Sequence, residues 1–267
     1  MTGCLVHDVT PLSKVHTLTL GYLRRPYYYG QNADNNNQPV NFDVSVLQQL
    51  KVLHVRGYLQ KIEGICKLKG LETLTLTHRS ASFVNESLPP TCRKVIVADF
   101  AEAGMGNYFE NVKDAEIISS YSFRTVQTLR NVQKLHLAHC SGIKEIESLA
   151  WLVDLTIIDC SSLSGIDFAT LPNLETVFIE SVPCLKELEI SGKKLRSVTV
   201  TRSGNLKTVN VKKALDSLRL FDCNNRVKIS VESHIHELVL ICQDQNYKLK
   251  VSKKGKIGSL VVDVDED

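Results

Sequence analysis

The chain has 267 residues, 43% of them hydrophobic and 23% charged, with a formal net charge of +3. This composition argues against disorder of the whole chain and suits one elongated domain or two compact ones. The small net charge hides an asymmetry, because residues 183–256 carry 16 Lys and Arg against 7 Asp and Glu, whereas the remainder carries 16 against 22. The first twenty residues are interrupted by His7, Asp8, Pro11, Lys14 and His16, unlike the apolar core of a secretory signal. No stretch reaches the roughly 18 apolar residues of a membrane span. Eight cysteines, at positions 4, 66, 92, 140, 160, 184, 223 and 242, include no C-x-x-C pair. The expectation is thiols in a reducing compartment, cytoplasmic or nuclear.

One pattern, apolar-x-x-apolar-x-apolar, runs through the chain. It occurs as VHTLTL (15), LKVLHV (50), LETLTL (71), CRKVIV (92), VKDAEI (112), VQKLHL (132), LVDLTI (152), LETVFI (174), LRSVTV (195), LDSLRL (215), IHELVL (235) and IGSLVV (257). The central residues of these twelve copies run from Leu18, Leu53 and Leu74 to Leu218, Leu238 and Leu260. After a first interval of 35, every step is 20 to 22 residues. Each copy ends in alternating apolar and polar residues, many of them β-branched, which predicts a short strand with alternate side chains inward.

In chain order, the segment before the first strand reads as half a repeat. It predicts an apolar end formed by Leu5, Val6, Val9, Leu12 and Val15, which a partner, a second copy or upstream sequence would cover. The long first interval carries an insertion of about 14 residues within residues 24–43, where Gly30, Pro39 and an Asn/Gln run predict a projecting loop. Arg24, Arg25, Tyr27, Tyr28 and Tyr29 in that loop are groups enriched in contact surfaces, so the loop reads equally as a binding clamp or a packed flap. Residues 92–130 are the least regular, with Ala115 at a core position and GMGN at 104–107, and predict a local bend or thin core. Four late copies show a second alternating run, LEI (188–190), VNV (209–211), ISV (229–231) and LKV (249–251), which predicts strands on the opposite side. Asp263, Asp265, Glu266 and Asp267 put charge on the last strand and are expected to blunt its edge.

The repeat resembles that of the leucine-rich repeat proteins, whose L-x-x-L-x-L phrase followed by Asn or Cys is matched at LHLAHC (135–140), LTIIDC (155–160) and LRLFDC (218–223). The resemblance covers nearly all the chain. It implies a mostly β solenoid of the α/β leucine-rich type: a single domain over residues 1–267, right-handed, of about twelve coils, with a parallel sheet on the concave side. A step of 20 to 22 residues leaves too little chain for long helices, so short 3₁₀ or extended connections are expected on the convex side. With strands about 4.8 Å apart, the concave sheet would be roughly 50 Å long.

This register assigns directions to a cluster that otherwise suggests a metal or reactive-thiol site. His136 projects from the concave sheet, His139 lies in the turn, and Cys140 takes the inward position, so the three do not converge on one ion. Cys140, Cys160 and Cys223 share one phase and read as small apolar fillers of a crowded turn, with Cys140 and Cys160 stacked on adjacent coils. His234 and His236 flank the inward Ile235. The concave side chains include Ile118, His136, Ile158, Phe178, Phe221, Val239 and Ile241, and apolar groups adjoining on an exposed sheet suit a protein or peptide partner. β-propensity alone, or a local register shift, is the plainer reading of the same residues.

Lys193, Lys194, Lys212, Lys213, Lys253, Lys254 and Lys256 precede successive strands at nearly equivalent places and would line a basic edge. An anionic partner fits such an edge, as does a lysine-rich rim that keeps the protein soluble. Few aromatic residues lie among these lysines, which argues against single-stranded nucleic acid. No glycine-rich phosphate loop, nucleophile elbow or H-E-x-x-H occurs, and Asp154, Asp159 and Asp167 fall in different phases, so neither catalysis nor a metal or cofactor is expected. The sequence is therefore read as a non-catalytic scaffold for a protein partner. Its alternatives are a structural subunit joined through its first coil and an anion-binding adaptor.

Overall fold

The computed structural model describes residues 10–21, 41–56, 61–77, 87–99, 109–121, 123–223, 226–241, 248–251 and 255–263. The chain forms two units, Met1–Lys113 and Asp114–Asp267.

In the first unit the predicted copies become β1 (Thr17–Gly21), β3 (Val52–Arg56), β5 (Thr73–Thr77) and β6 (Lys94–Ala98), which pair in parallel in that order. Their register aligns Leu18, Leu53, Leu74 and Val95, the residues the repeat singles out. Two short strands, β2 (Asn41–Asp43) and β4 (Lys61–Glu63), make a second parallel pair. β2 takes up the last three residues of the segment 24–43; the rest of the expected loop lies outside the described residues. Arg24, Arg25, Tyr27, Tyr28 and Tyr29 lie outside the described residues, as do Leu5, Val6 and Val9; Leu12 and Val15 are half-buried.

The second unit holds β7 (Asp114–Ile118), β8 (Lys134–Ala138), β9 (Glu145–Ile146), β10 (Asp154–Ile158), β11 (Gly165–Ile166), β12 (Thr176–Glu180) and β13 (Glu187–Ile190). It continues with β14 (Ser197–Thr201), β15 (Thr208–Val211), β16 (Leu215–Phe221), β17 (Lys228–Val231), β18 (His234–Ile241), β19 (Lys248–Val251) and β20 (Lys256–Asp263). Strands β7, β8, β10, β12, β14, β16, β18 and β20 form one parallel run of eight, so this unit is a mostly β solenoid of about eight turns. The other side carries the pair β9–β11 and the parallel sheet β13–β15–β17–β19, the last four being the predicted second runs. Among the described residues there is no α-helix, only short 3₁₀ turns such as Gln127–Leu129 and Phe168–Thr170.

Burial follows the period of two. In the eight-stranded run Ala115, Leu135, Leu155, Val177, Val198, Leu218 and Leu238 align and are buried, and so are Ile117, Leu137, Ile157, Ile179, Val200, Leu220 and Leu240 two positions on. The connections lay Ile143, Ile146, Leu149, Leu163 and Ile166 against the same core. Removing this apolar surface from water is what holds each turn on its neighbour.

Among the described residues of the second unit, one backbone device ends six of the outer strands. Ser119, His139, Asp159, Ser181, Arg202 and Asp222, four positions after each central residue, have φ between 46° and 55°. This left-handed conformation is unusual for residues other than glycine. It aims each N–H at the next strand: His139 donates to Ile158 O at 2.9 Å, Asp159 to Glu180 O at 3.0 Å and Arg202 to Phe221 O at 3.0 Å. The turn then drives the following residue into the core, where Ser120, Cys140, Cys160, Val182, Ser203 and Cys223 are buried.

Candidate functional site

The turn cysteines are more than apolar fillers. Cys140 Sγ donates to Ile117 O at 3.3 Å and Ala138 O at 3.4 Å, and Cys223 Sγ lies 3.5 Å from Val200 O and 3.4 Å from Phe221 O. Ser203 Oγ makes the equivalent bond to Thr201 O at 3.2 Å. At this position Cys and Ser satisfy a strand-end carbonyl, whereas Val182 fills the same place with an apolar side chain. Cys140 and Cys160 also hydrogen-bond to one another, and this contact together with burial pushes the Cys160 thiol well above its ordinary range. Burial pushes Cys92 up to about 12.

His136 and His139 face different partners, as the register requires. His136 Nδ1 is 3.9 Å from Glu116 Oε1 on the sheet, while His139 Nδ1 is 3.5 Å from Asp159 Oδ2 along the turns. Nε2 of His136 is buried without a hydrogen-bond partner among the described residues. Among those residues no three His, Cys, Asp or Glu side chains converge as metal ligands. His234 and His236 are exposed on either side of buried Ile235.

The outward face of the eight-stranded run is where the apolar residues meet. Ile118, Ile158, Phe178, Phe221, Val239 and Ile241 alternate with core residues and are half-buried. Register pairs Phe221 with Ile241 and Val239 with Val261, and Val239 and Ile241 lie two apart on β18, so these four form one contiguous patch. A second row runs Ile118, Ala138, Ile158. Phe178 stands apart from it, between Thr156 and Thr199, with Ile158 opposite Glu180. Beside the first patch Arg219 Nη2 and Glu237 Oε2 are 2.9 Å apart, and Ser217 Oγ lies 3.2 Å from the same oxygen. The Arg219 and Ser217 hydrogen bonds hold the Glu237 carboxyl below its usual range. Arg202 pairs with Glu180 farther along the same face.

The basic edge is less open than its sequence suggests. Lys193, Lys194, Lys212, Lys213 and Lys256 are exposed, while Lys253 and Lys254 lie outside the described residues. Lys194 Nζ donates to Asn173 Oδ1 at 2.7 Å and Lys212 Nζ sits 2.8 Å from Glu189 Oε1, so two of these ammonium groups already have a partner on the preceding turn. The Glu189 hydrogen bond raises Lys212 above the ordinary lysine value.

Two exposed aromatics escape the sequence reading. Trp151 is 55% and Tyr121 70% exposed. Trp151 stands four positions before Leu155, a phase that Asn131, Asn173 and Lys194 fill in other turns. A large aromatic in a polar phase is the signal that would have found it. In the last strand Leu260 and Val262, at inward positions, are exposed; of the four acidic residues expected to blunt its edge Asp263 is described, and Asp265, Glu266 and Asp267 lie outside the described residues.

No family model and no curated protein sequence matches this chain.

Proposed function

We propose that the chain is a non-catalytic recognition scaffold that holds a protein or peptide partner on the outward face of its long sheet. The observation that supports it is the contiguous patch of Phe221, Val239, Ile241 and Val261, half-buried or exposed, on strands whose alternate residues fill the core. Aliphatic and aromatic groups with a charged pair at their margin, here Arg219–Glu237, are the composition of a contact surface rather than of a site for a small polar substrate. Phe221 and Ile241 serve as anchors. Phe178, Ile158, Ile118 and His136 extend the face, and Arg24, Arg25, Tyr27, Tyr28 and Tyr29 add a clamp.

In this reading the chain is a right-handed leucine-rich repeat protein of about twelve coils, working in the cytoplasm or nucleus. Affinity capture from the source cells, with proteins identified by mass spectrometry, tests it. The same proteins should persist through a high-salt wash and disappear when Phe221→Asp and Ile241→Asp are combined. Retention by the double variant, or loss in salt alone, overturns the reading, because apolar contacts survive screening and ionic ones do not.

A further inference from the structure

Cys140 and Cys160 hold the same phase of adjoining turns. Each stands two residues past the register pair Ala138↔Ile158 and follows a residue of left-handed φ, His139 at 55° and Asp159 at 51°. Turns of one form on in-register parallel strands stand about 4.8 Å apart. That separation falls within the roughly 4.4–6.8 Å between Cα atoms that a disulfide spans. The sulfurs also reach one strand end: Cys140 Sγ is 3.4 Å from Ala138 O and Cys160 Sγ 3.7 Å from Leu137 O, consecutive carbonyls of β8. The same phase holds Ser120, Val182, Ser203 and Cys223 in the other turns, so among these described residues no second thiol stands beside a thiol. Both sulfurs are buried, while His139, Asp159 and Ser161 beside them are exposed. Bulky reagents are therefore excluded, whereas a hydroperoxide little larger than water needs only a local opening of the turn.

We propose that the two thiols form a redox switch, in which a hydroperoxide closes a Cys140–Cys160 disulfide between neighbouring turns. Cys140 reacts first. The Cys160 S–H donates to the Cys140 sulfur, which holds the Cys140 thiol below its ordinary value and pushes Cys160 above it. The thiolate is the reactive form. Its electron pair attacks the peroxide and the O–O bond breaks, giving a sulfenic acid on Cys140 while the leaving oxygen takes a proton as water or an alcohol. The Cys160 sulfur then attacks the sulfenic sulfur, forming the S–S bond and releasing the hydroxyl, with the Cys160 proton, as water. The thiols lose two electrons and two protons, and the peroxide gains them. A thiol reductant reverses the reaction. The bond joins β8 to β10 beside the outward residues Ala138 and Ile158, fixing two turns that otherwise separate when the chain opens.

Hydrogen peroxide added to the native full chain, followed by blocking of the remaining thiols and peptide mass mapping, tests the switch. The expected product is a Cys140–Cys160 crosslink, lighter than the reduced pair by two hydrogens, formed in the folded protein and reversed by dithiothreitol. It raises the ratio of folded to unfolded chain in urea by about tenfold or more. Serine fills this place at Ser120 and Ser203, so Cys140→Ser and Cys160→Ser keep the turn. Cys160→Ser should leave Cys140 as a sulfenic acid that dimedone captures, and Cys140→Ser should give none at Cys160. Both thiols staying reduced in excess peroxide, a crosslink that forms only in denaturant, or two variants that react alike overturns the proposal.

Discussion

At the scale of single residues, the left-handed turn that closes outer strands such as β12 carries the sharpest consequences. Ser181 holds a φ of 53°, which its neighbours impose so that its N–H reaches Thr201 O at 3.0 Å. A β-branched side chain is poorly tolerated in that conformation, whereas glycine adopts it freely. Ser181→Val should destabilise the protein by about 1–2 kcal/mol and Ser181→Gly should be neutral or stabilising, read from urea unfolding midpoints. Burial sets thiol chemistry. Cys92, Cys140 and Cys160 are buried, with the Cys92 thiol pushed up to about 12, while Cys184 is exposed. Alkylation of the native protein at pH 8, followed by peptide mass mapping, should label Cys184 quickly and leave the other three unmodified until the protein unfolds. The sequence showed where these cysteines lie but not that they donate hydrogen bonds, because a phase fixes the direction of a side chain and says nothing of which carbonyl it meets.

At the scale of elements, the outer strands were legible because an inward residue at every second position, repeated each 20 to 22 residues, has few other physical solutions. Strands β9 and β11 were not, since two residues each, Glu145–Ile146 and Gly165–Ile166, are too few to show a period. The state of β20 was not legible either, because IGSLVV has the same form as every internal copy and burial depends on what lies alongside. That difference is measurable. Leu155→Ala, in a strand covered on both edges, should cost about 2–5 kcal/mol, whereas Leu260→Ala should cost less than about 1.5 kcal/mol, compared by chemical denaturation. In the first unit, β2 ends on a carboxylate that accepts the Ser45 N–H at 2.9 Å, and this hydrogen bond holds Asp43 below the ordinary aspartate value. A lowered folded value means the contribution is complete above the unfolded value and disappears as pH falls through the folded one. Acidification below about pH 4 should therefore loosen the β2–β4 pair, with Asp43→Asn reducing the dependence, as followed by amide exchange at Phe42 and Val44.

At the scale of the whole molecule, the second unit is organised so that each outer strand hydrogen-bonds only to the one before and the one after it. Stability in such an array is close to a sum of turns and of the contacts between neighbouring turns, so a complete turn is a removable unit. The copies centred on Leu135 and Leu155 are 20 residues apart, are paired in register from Asp154↔Lys134 to Ile158↔Ala138, and end in turns of the same left-handed form at His139 and Asp159. Deleting residues 136–155 joins Leu135 to Thr156 in the correct phase. Leu137 is replaced by Ile157 in the core, Cys140 by Cys160 in the turn, and Glu116 loses His136 and faces Thr156 instead. The shortened chain should fold cooperatively with an unchanged β-type circular dichroism spectrum per residue and a lower unfolding midpoint. Deleting ten residues instead, 146–155, puts half a turn out of phase and turns core leucines toward water, so that chain should be insoluble or unfolded. If both deletions behave alike, coil periodicity is not what determines which side chains are hidden.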